Sequence, residues 1–244
     1  MKVDILITFN DLDEYKGGVS KDLRCVDQLK KLINSIEKNF KYDYEIYTFY
    51  SRKLSDELIG YFGSVSNLVF DPEEIGMNRI SAYRKNTNGD FSLILDTDIL
   101  VLNNPNFYTD SEFYAKKSGN KMVSIKTWKE ICKVVGIDYS GEMGINNGCL
   151  FISNKIKNDL YNCLVKYKPI VKKIIENNKE SDHFDDQVLM SILMKKYSNG
   201  YFNENINYYT NNNNKIDEET VEILHYLGKN GMSNPHLRKI INKY

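Results

Sequence analysis

The chain has 244 residues, 33 acidic and 33 basic, so its formal charge is zero and charge offers no support for a nucleic-acid or anionic-membrane partner. The length suits one large α/β domain with a substantial core. No apolar run approaches the roughly 20 residues that span a bilayer, and the stretch from Met1 to Phe9 turns polar too soon for a signal peptide. A soluble, cytoplasmic protein is therefore expected. Cys25, Cys132, Cys149 and Cys163 are widely spaced and form no CxxC pair, which suggests buried free thiols in a reducing compartment.

Val3 to Phe9 is a continuous apolar stretch that predicts a first strand, followed at once by a polar loop from Asn10 to Gly18. Val26, Leu29, Ile33, Ile36 and Phe40 recur at three and four residues, which predicts a helix with one face on a sheet. Tyr44 to Tyr50 reads as a second strand. Ser55, Asp56 and Glu57 cap a short helix carrying Leu58, Ile59, Tyr61 and Phe62, and Leu68 to Phe70 predicts a third strand. Strands alternating with helices imply a mostly parallel sheet with right-handed crossovers, in which ligands collect at the carboxyl ends of the strands. A further helix is expected within Pro72 to Lys85. It carries Arg79, Arg84 and Lys85, either as a solvated face or as contacts to a diphosphate.

Ser92 to Leu95 predicts a buried strand, and the apolar run resumes from Ile99 to Leu102 before the turn residues Asn103, Asn104 and Pro105. Between the two lie Asp96, Thr97 and Asp98. In extended backbone, residues two apart share a face, so the two carboxylates are expected to project together. Like charges removed from water repel unless a cation sits between them, and hard oxygen ligands favour Mg²⁺ or Mn²⁺. An Asp-x-Asp triplet can equally be a solvated turn. The apolar flanks on both sides favour the metal reading.

Beyond this point the pattern is less regular. Met122 to Ile125 suggests a strand, and Trp128 stands in a segment without a clear assignment. Asn146, Asn147 and Gly148 precede another apolar strand and read either as a tight turn or as a binding segment. Leu160, Leu164, Tyr167, Val171 and Ile174 mark a long amphipathic helix, with Pro169 inside it as a potential kink. Asp185 and Asp186 head the next helix, where a single acid would suffice as cap, and Gln187 follows. Asn211 to Asn214 is a low-complexity loop. Val221 to Tyr226 predicts a last strand whose His225 is either a core residue or a ligand, and Gly228 and Lys229 behind it suit a phosphate. No internal repeat or linker divides the chain.

In this order the motifs resemble those of the GT-A glycosyltransferases, especially the glycogenin-like and galactosyltransferase-like group called family 8, over nearly the whole chain. The opening TFNDLDEYKGG is similar to that family's first strand and uridine-binding loop, which implies that Thr8, Asn10 and Tyr15, with Thr97, lie near the nucleotide. Arg79 stands where the family carries a basic residue ahead of its acidic strand, and it is implied, with Asn146 and Gly148 of the N-x-G strand, to meet the donor sugar. LILDTDILV resembles the DxD element. It implies Asp96 and Asp98 as metal ligands, with His225 of the HxxGxxKPW segment as the third. Gly228 and Lys229 would face phosphate, although the terminal K-P-W is replaced by Gly231, Met232 and Ser233 and Lys229 comes two residues early. Asp186 and Gln187 match the DQ pair and are implied to be catalytic.

The fold implied is a GT-A one: a Rossmann-like, mostly parallel central sheet flanked by helices, with a small additional sheet after the DxD element. It would form a single domain, residues 1–102 the nucleotide-binding half and 103–244 the sugar and acceptor half. The implied activity is metal-dependent transfer of a hexose from a UDP-sugar, UDP-glucose or UDP-galactose, to a hydroxyl of a glycan, glycolipid or protein, with retention. Mixed nitrogen and oxygen ligands favour Mn²⁺, with Mg²⁺ as the alternative cofactor. Two other readings stay open: a sugar-nucleotidyltransferase, against which the acidic loop of Asp11, Asp13 and Glu14 argues, and a nucleotide-sugar binding module without turnover.

Overall fold

The computed structural model describes residues 1–9, 25–50, 54, 56–70, 80–84, 87–118, 122–141, 144–181, 185–209, 215–226 and 234–244, with the backbone alone for Cys25, Ile80 and Ser81. The first half follows the predicted alternation: β1 (Lys2–Phe9), α1 (Cys25–Asn39), β2 (Asp43–Tyr50), α2 (Asp56–Val65), β3 (Asn67–Phe70), α3 (Ile80–Arg84) and β4 (Phe91–Leu95). The second half holds β5 (Ile99–Val101), β6 (Phe113–Lys117), α4 (Ile125–Val135), β7 (Ile145–Ser153), α5 (Lys157–Asn177) and α6 (Asp185–Leu193). A short 3₁₀ turn, β8 (Asn199–Tyr201), β9 (Tyr208–Tyr209), β10 (Ile223–His225) and α7 (Pro235–Ile241) complete it.

Seven strands form one sheet in the order β3-β2-β1-β4-β7-β6-β8. The pairs β1/β2, β2/β3, β1/β4 and β6/β8 are parallel, while β7 runs antiparallel to both its neighbours. A second sheet of three strands, β5-β10-β9, stands beside it. The expected mainly parallel sheet and the small additional sheet after the acidic triplet are thus both present.

Strand alternation sorts the core onto two faces. Leu6, Ile94, Leu150 and Ile152 point toward α4, α5 and α6, whereas Ile5, Ile7, Leu93, Leu95 and Phe151 pack with Leu29, Ile33 and Ile36 of α1 and Phe62 of α2. A third cluster, with Leu100, Leu224, Leu237 and Ile240, seals the small sheet beneath α7. Cys132, Cys149 and Cys163 are buried thiols, as expected for these three. Among the described residues no helix is long and apolar enough to cross a membrane.

The end of the large sheet remote from the acidic triplet is fastened by buried Asp4. Its Oδ2 accepts from the Gly89 amide at 2.8 Å and from Asn154 Nδ2 at 2.9 Å, tying the turn before β4 and the end of β7 to β1. A Cβ at Gly89 would sit 2.7 Å from Asp4 Cγ, so the approach requires glycine.

Three sequence expectations are corrected. Met122 to Ile125 is not a strand: Met122 and Val123 enter the core from irregular backbone, and Ser124 caps α4 by accepting from the Thr127 amide. Trp128 is then buried on that helix. Asn146, Asn147 and Gly148 do not make a turn but belong to β7 at an irregularity in its pairing with β6: Asn146 is paired with Lys116, and the Gly148 carbonyl accepts from the Asp96 amide. Asp96 and Asp98 do not share a face of an extended strand either, because Thr97 and Asp98 form a turn between β4 and β5.

Candidate metal centre

The acidic triplet lies where the chain leaves one sheet for the other. Leu95 is the last β4 residue paired to β7, and the Asp96 amide still donates to the Gly148 carbonyl at 2.9 Å. The backbone then turns and starts β5, whose antiparallel register with β10 sets Ile99 opposite His225. The Tyr226 amide closes the turn on the Asp98 carbonyl at 3.0 Å. Strand pairing across more than a hundred residues therefore delivers the imidazole to the acids.

The ligand atoms of Asp96, Asp98 and His225 all lie within 4.8 Å of one another. His225 Nε2 is 3.2 Å from Asp98 Oδ1, and the His225 side chain is buried while both acids are half-buried. In an octahedral site with bonds of about 2.1 Å, neighbouring ligands are about 3 Å apart and opposite ones about 4.2 Å. The donor set and spacing therefore fit a divalent cation, closing on it with small side-chain adjustments.

Behind the ring a polar chain continues. His225 Nδ1 faces Asn207 Oδ1 at 3.0 Å, Asn207 Nδ2 donates to Asn146 Oδ1 at 3.0 Å, and the Gly148 amide donates to the same Oδ1 at 2.8 Å. Gly148 has a packing reason to be glycine: a Cβ there would stand 2.7 Å from His225 Nδ1 and 2.9 Å from Asn146 Oδ1, with His225 Cε1 closer still.

Other predicted residues have these places in the fold. Thr8 is buried at the carboxyl end of β1, one residue past the Ile7–Leu95 pair, and thus beside Asp96 in register. Thr97 Oγ1 donates to Gln28 Oε1 of α1 at 3.4 Å. The head of α6 is anchored next to Asn146. Gln187 Nε2 donates to the Ile145 carbonyl at 2.7 Å, and Ser191 Oγ accepts from the Ile145 amide while donating to the Gln187 carbonyl. Asp185 and Asp186 cap this helix, each accepting from the amide that follows it. Burial raises the Asp185 carboxyl, Lys168 opposes that, and neighbouring Asp186 adds to it. Asn10, Tyr15, Arg79, Gly228 and Lys229, together with Ser55, Lys85 and the Asn211 to Asn214 tract, lie outside the described residues.

Three neighbours were not singled out from the sequence. Buried Gln28 interrupts the apolar face of α1, and that interruption was a legible signal. Lys116 is paired with Asn146 across β6 and β7, so both project to one face. Burial lowers its ammonium pKa, with Glu204 pulling the other way. Asn207 sits in the turn before β9 and carried no signal at all.

No family model matches the chain, and no curated protein sequence matches it. Solved structures do. The galactosyltransferase LgtC, in complex with donor and acceptor sugar analogues, is 15% identical over 98% of this chain and 95% of that one, with a TM-score of 0.63. The glycosyltransferase GlyE of Streptococcus pneumoniae is 15% identical at a TM-score of 0.62, over 99% of this chain and 59% of GlyE. Mouse xyloside xylosyltransferase 1 in its apo form is 10% identical over 92% of this chain and 97% of that one, with a TM-score of 0.57. A mainly parallel seven-stranded sheet, a small second sheet after the acidic turn, and this set of neighbours together mean that the chain has the GT-A glycosyltransferase fold.

Proposed function

We propose that this protein is a metal-dependent glycosyltransferase that moves a hexose from a UDP-sugar, UDP-glucose or UDP-galactose, to an acceptor hydroxyl on a glycan, glycolipid or protein, with retention. The observation that carries the reading is the Asp96–Asp98–His225 cluster at the carboxyl end of β4 in a GT-A fold. The sugar analogues bound to LgtC, named there as donor and acceptor, support the substrate class.

Asp96, Asp98 and His225 would hold the cation, Mn²⁺ in preference to Mg²⁺ because one ligand is nitrogen. Bound there, it supplies positive charge that offsets the negative charge growing on the leaving diphosphate. Thr8 and Thr97, with Asn10 and Tyr15, line the nucleotide side. Asn146 offers its amide Nδ2 to the donor sugar, since its Oδ1 already accepts two hydrogen bonds. Gly148 lets the strand approach closely, and Arg79 contributes a cation to the donor. Asp186 and Gln187 serve as the catalytic pair, a reading supported by the bond from Gln187 to the Ile145 carbonyl, next to Asn146. Gly228 and Lys229 meet phosphate through backbone amide and ammonium, strengthening in the transition state rather than the ground state. Residues 1–102 act as the nucleotide half and 103–244 as the sugar and acceptor half of one domain.

The test is a panel of nucleotide sugars incubated with protein and Mn²⁺, with released UDP measured over time. Slow release from a UDP-hexose, abolished by EDTA, is expected. Metal-dependent binding without release from any donor would make the protein a binding module, and neither binding nor release would end the proposal.

A further inference from the structure

We infer that Asn207 is a positioning residue that fixes which nitrogen of His225 carries the proton, holding the lone pair of Nε2 toward Asp98. The inference concerns the ligand His225 and rests on the metal reading above only for its consequence, not for its geometry.

The orientation follows from one donor whose identity is certain. The Gly148 amide can only donate, so the Asn146 atom 2.8 Å from it is the oxygen Oδ1. That oxygen is also 3.0 Å from the side chain of Asn207, which must therefore present Nδ2 to it. The other end of the Asn207 amide, Oδ1, then faces His225 Nδ1 at 3.0 Å. A carbonyl oxygen only accepts, so Nδ1 bears the hydrogen, and in the neutral ring Nε2 is left with the lone pair. Nε2 is the nitrogen 3.2 Å from Asp98 Oδ1. A lone pair facing a carboxylate oxygen is repulsive until a cation comes between them, which is the arrangement a metal-ligand histidine needs.

The fold commits backbone to this amide. Asn207 is fully buried and has φ of 57°, in the left-handed region that Asn tolerates and most side chains avoid. Beside it the absent Cβ of Gly148 makes room for the ring. The parallel pairing of β9 with β10 holds the Asn207 turn next to His225, with the Tyr209 ring 5.4 Å from the imidazole. Asn207→Gly therefore removes the amide without backbone strain, and Asn207→Asp keeps an acceptor at Nδ1 while losing the donor to Asn146 Oδ1.

The experiment uses ¹⁵N-histidine-labelled protein, which has three histidines to resolve, assigned with His183→Gln and His236→Gln. A long-range ¹H–¹⁵N spectrum of the metal-free protein reads the proton position, and Mn²⁺ alone is titrated by the paramagnetic signal of the free ion. In the wild type, His225 is expected to carry its proton on Nδ1. Asn207→Gly should lose that preference and bind Mn²⁺ about 10- to 100-fold more weakly, the usual cost of removing such a support. Asn207→Asp should keep the Nδ1 proton, since a carboxylate oxygen still accepts there, although it loses the donor to Asn146 Oδ1. A wild-type ring protonated on Nε2, or an Asn207→Gly protein with unchanged tautomer and Mn²⁺ affinity, overturns the inference. If Asn207→Gly does not fold, the wild-type and Asn207→Asp spectra still decide it. Failure of the metal reading is separately visible: the tautomer would behave as stated while the wild type ignored Mn²⁺.

Discussion

Replacing Gly148 by alanine places one methyl group against the His225 ring of the candidate metal centre. The new carbon would start 2.7 Å from His225 Nδ1 and 2.9 Å from Asn146 Oδ1, whereas ordinary contacts need about 3.5 Å. The ring must therefore retreat by about 1 Å, or β7 must bend away from it. Neither is easy. The imidazole is buried and held by the bond between its Nδ1 and Asn207, and the Gly148 carbonyl is bonded to the Asp96 amide. Overpacking of this kind costs about 1–3 kcal/mol. If the ring yields, that cost falls on cation binding, which weakens by roughly 5- to 150-fold at about 1.4 kcal/mol per tenfold. Titration of Mn²⁺ against the variant, alongside its melting temperature, separates the two routes. A Gly148→Ala protein with both wild-type Mn²⁺ affinity and wild-type melting would refute the packing argument.

Asp98→Asn should abolish Mn²⁺-dependent UDP binding, by about 100-fold or more on loss of one charged ligand, while the melting temperature stays near wild type; calorimetric titration with and without EDTA checks it. Gly89→Ala should do the reverse. Its Cβ meets the buried Asp4 carboxylate at the far end of the sheet, so stability should fall by about 1–3 kcal/mol in denaturant titration with Mn²⁺ binding unchanged. Glu180 clamps the start of α4 by accepting from the Ser124 amide at 2.9 Å and from Thr127 Oγ1 at 2.8 Å. Burial pushes its carboxyl up, but these bonds and nearby Lys126 outweigh it and the net shift is downward. A depressed folded pKa adds stability that is present above the unfolded value of about 4.3 and is lost as pH falls through the folded value. Glu180→Gln should therefore melt about 2–4 °C below wild type at neutral pH, with the gap closing in acid; a gap independent of pH would contradict this.

The order of strands and helices in the first half was legible because apolar periodicity reports which face of a segment is buried, a property of neighbouring residues. Val3 to Phe9, the 26–40 helix and the alternation through Phe70 followed from that alone, as did the long helix through Pro169. The acidic triplet and His225 were legible as residue types out of place in apolar strands. Their meeting was not. It depends on β10 pairing with β5 in one register, which puts Ile99 opposite His225 from far along the chain. The insertion of β7 antiparallel beside β4 was hidden for the same reason: Asn146, Asn147 and Gly148 look like a turn until the pairing of Asn146 with Lys116 and of Cys149 to Ser153 with β4 draws them into a strand. Asn207 marks the limit most sharply. Nothing around it in the chain distinguishes it from other asparagines, and only the packing of β9 against β10 sets its amide behind the imidazole, because hydrogen bonds between distant segments exist only once the fold has formed.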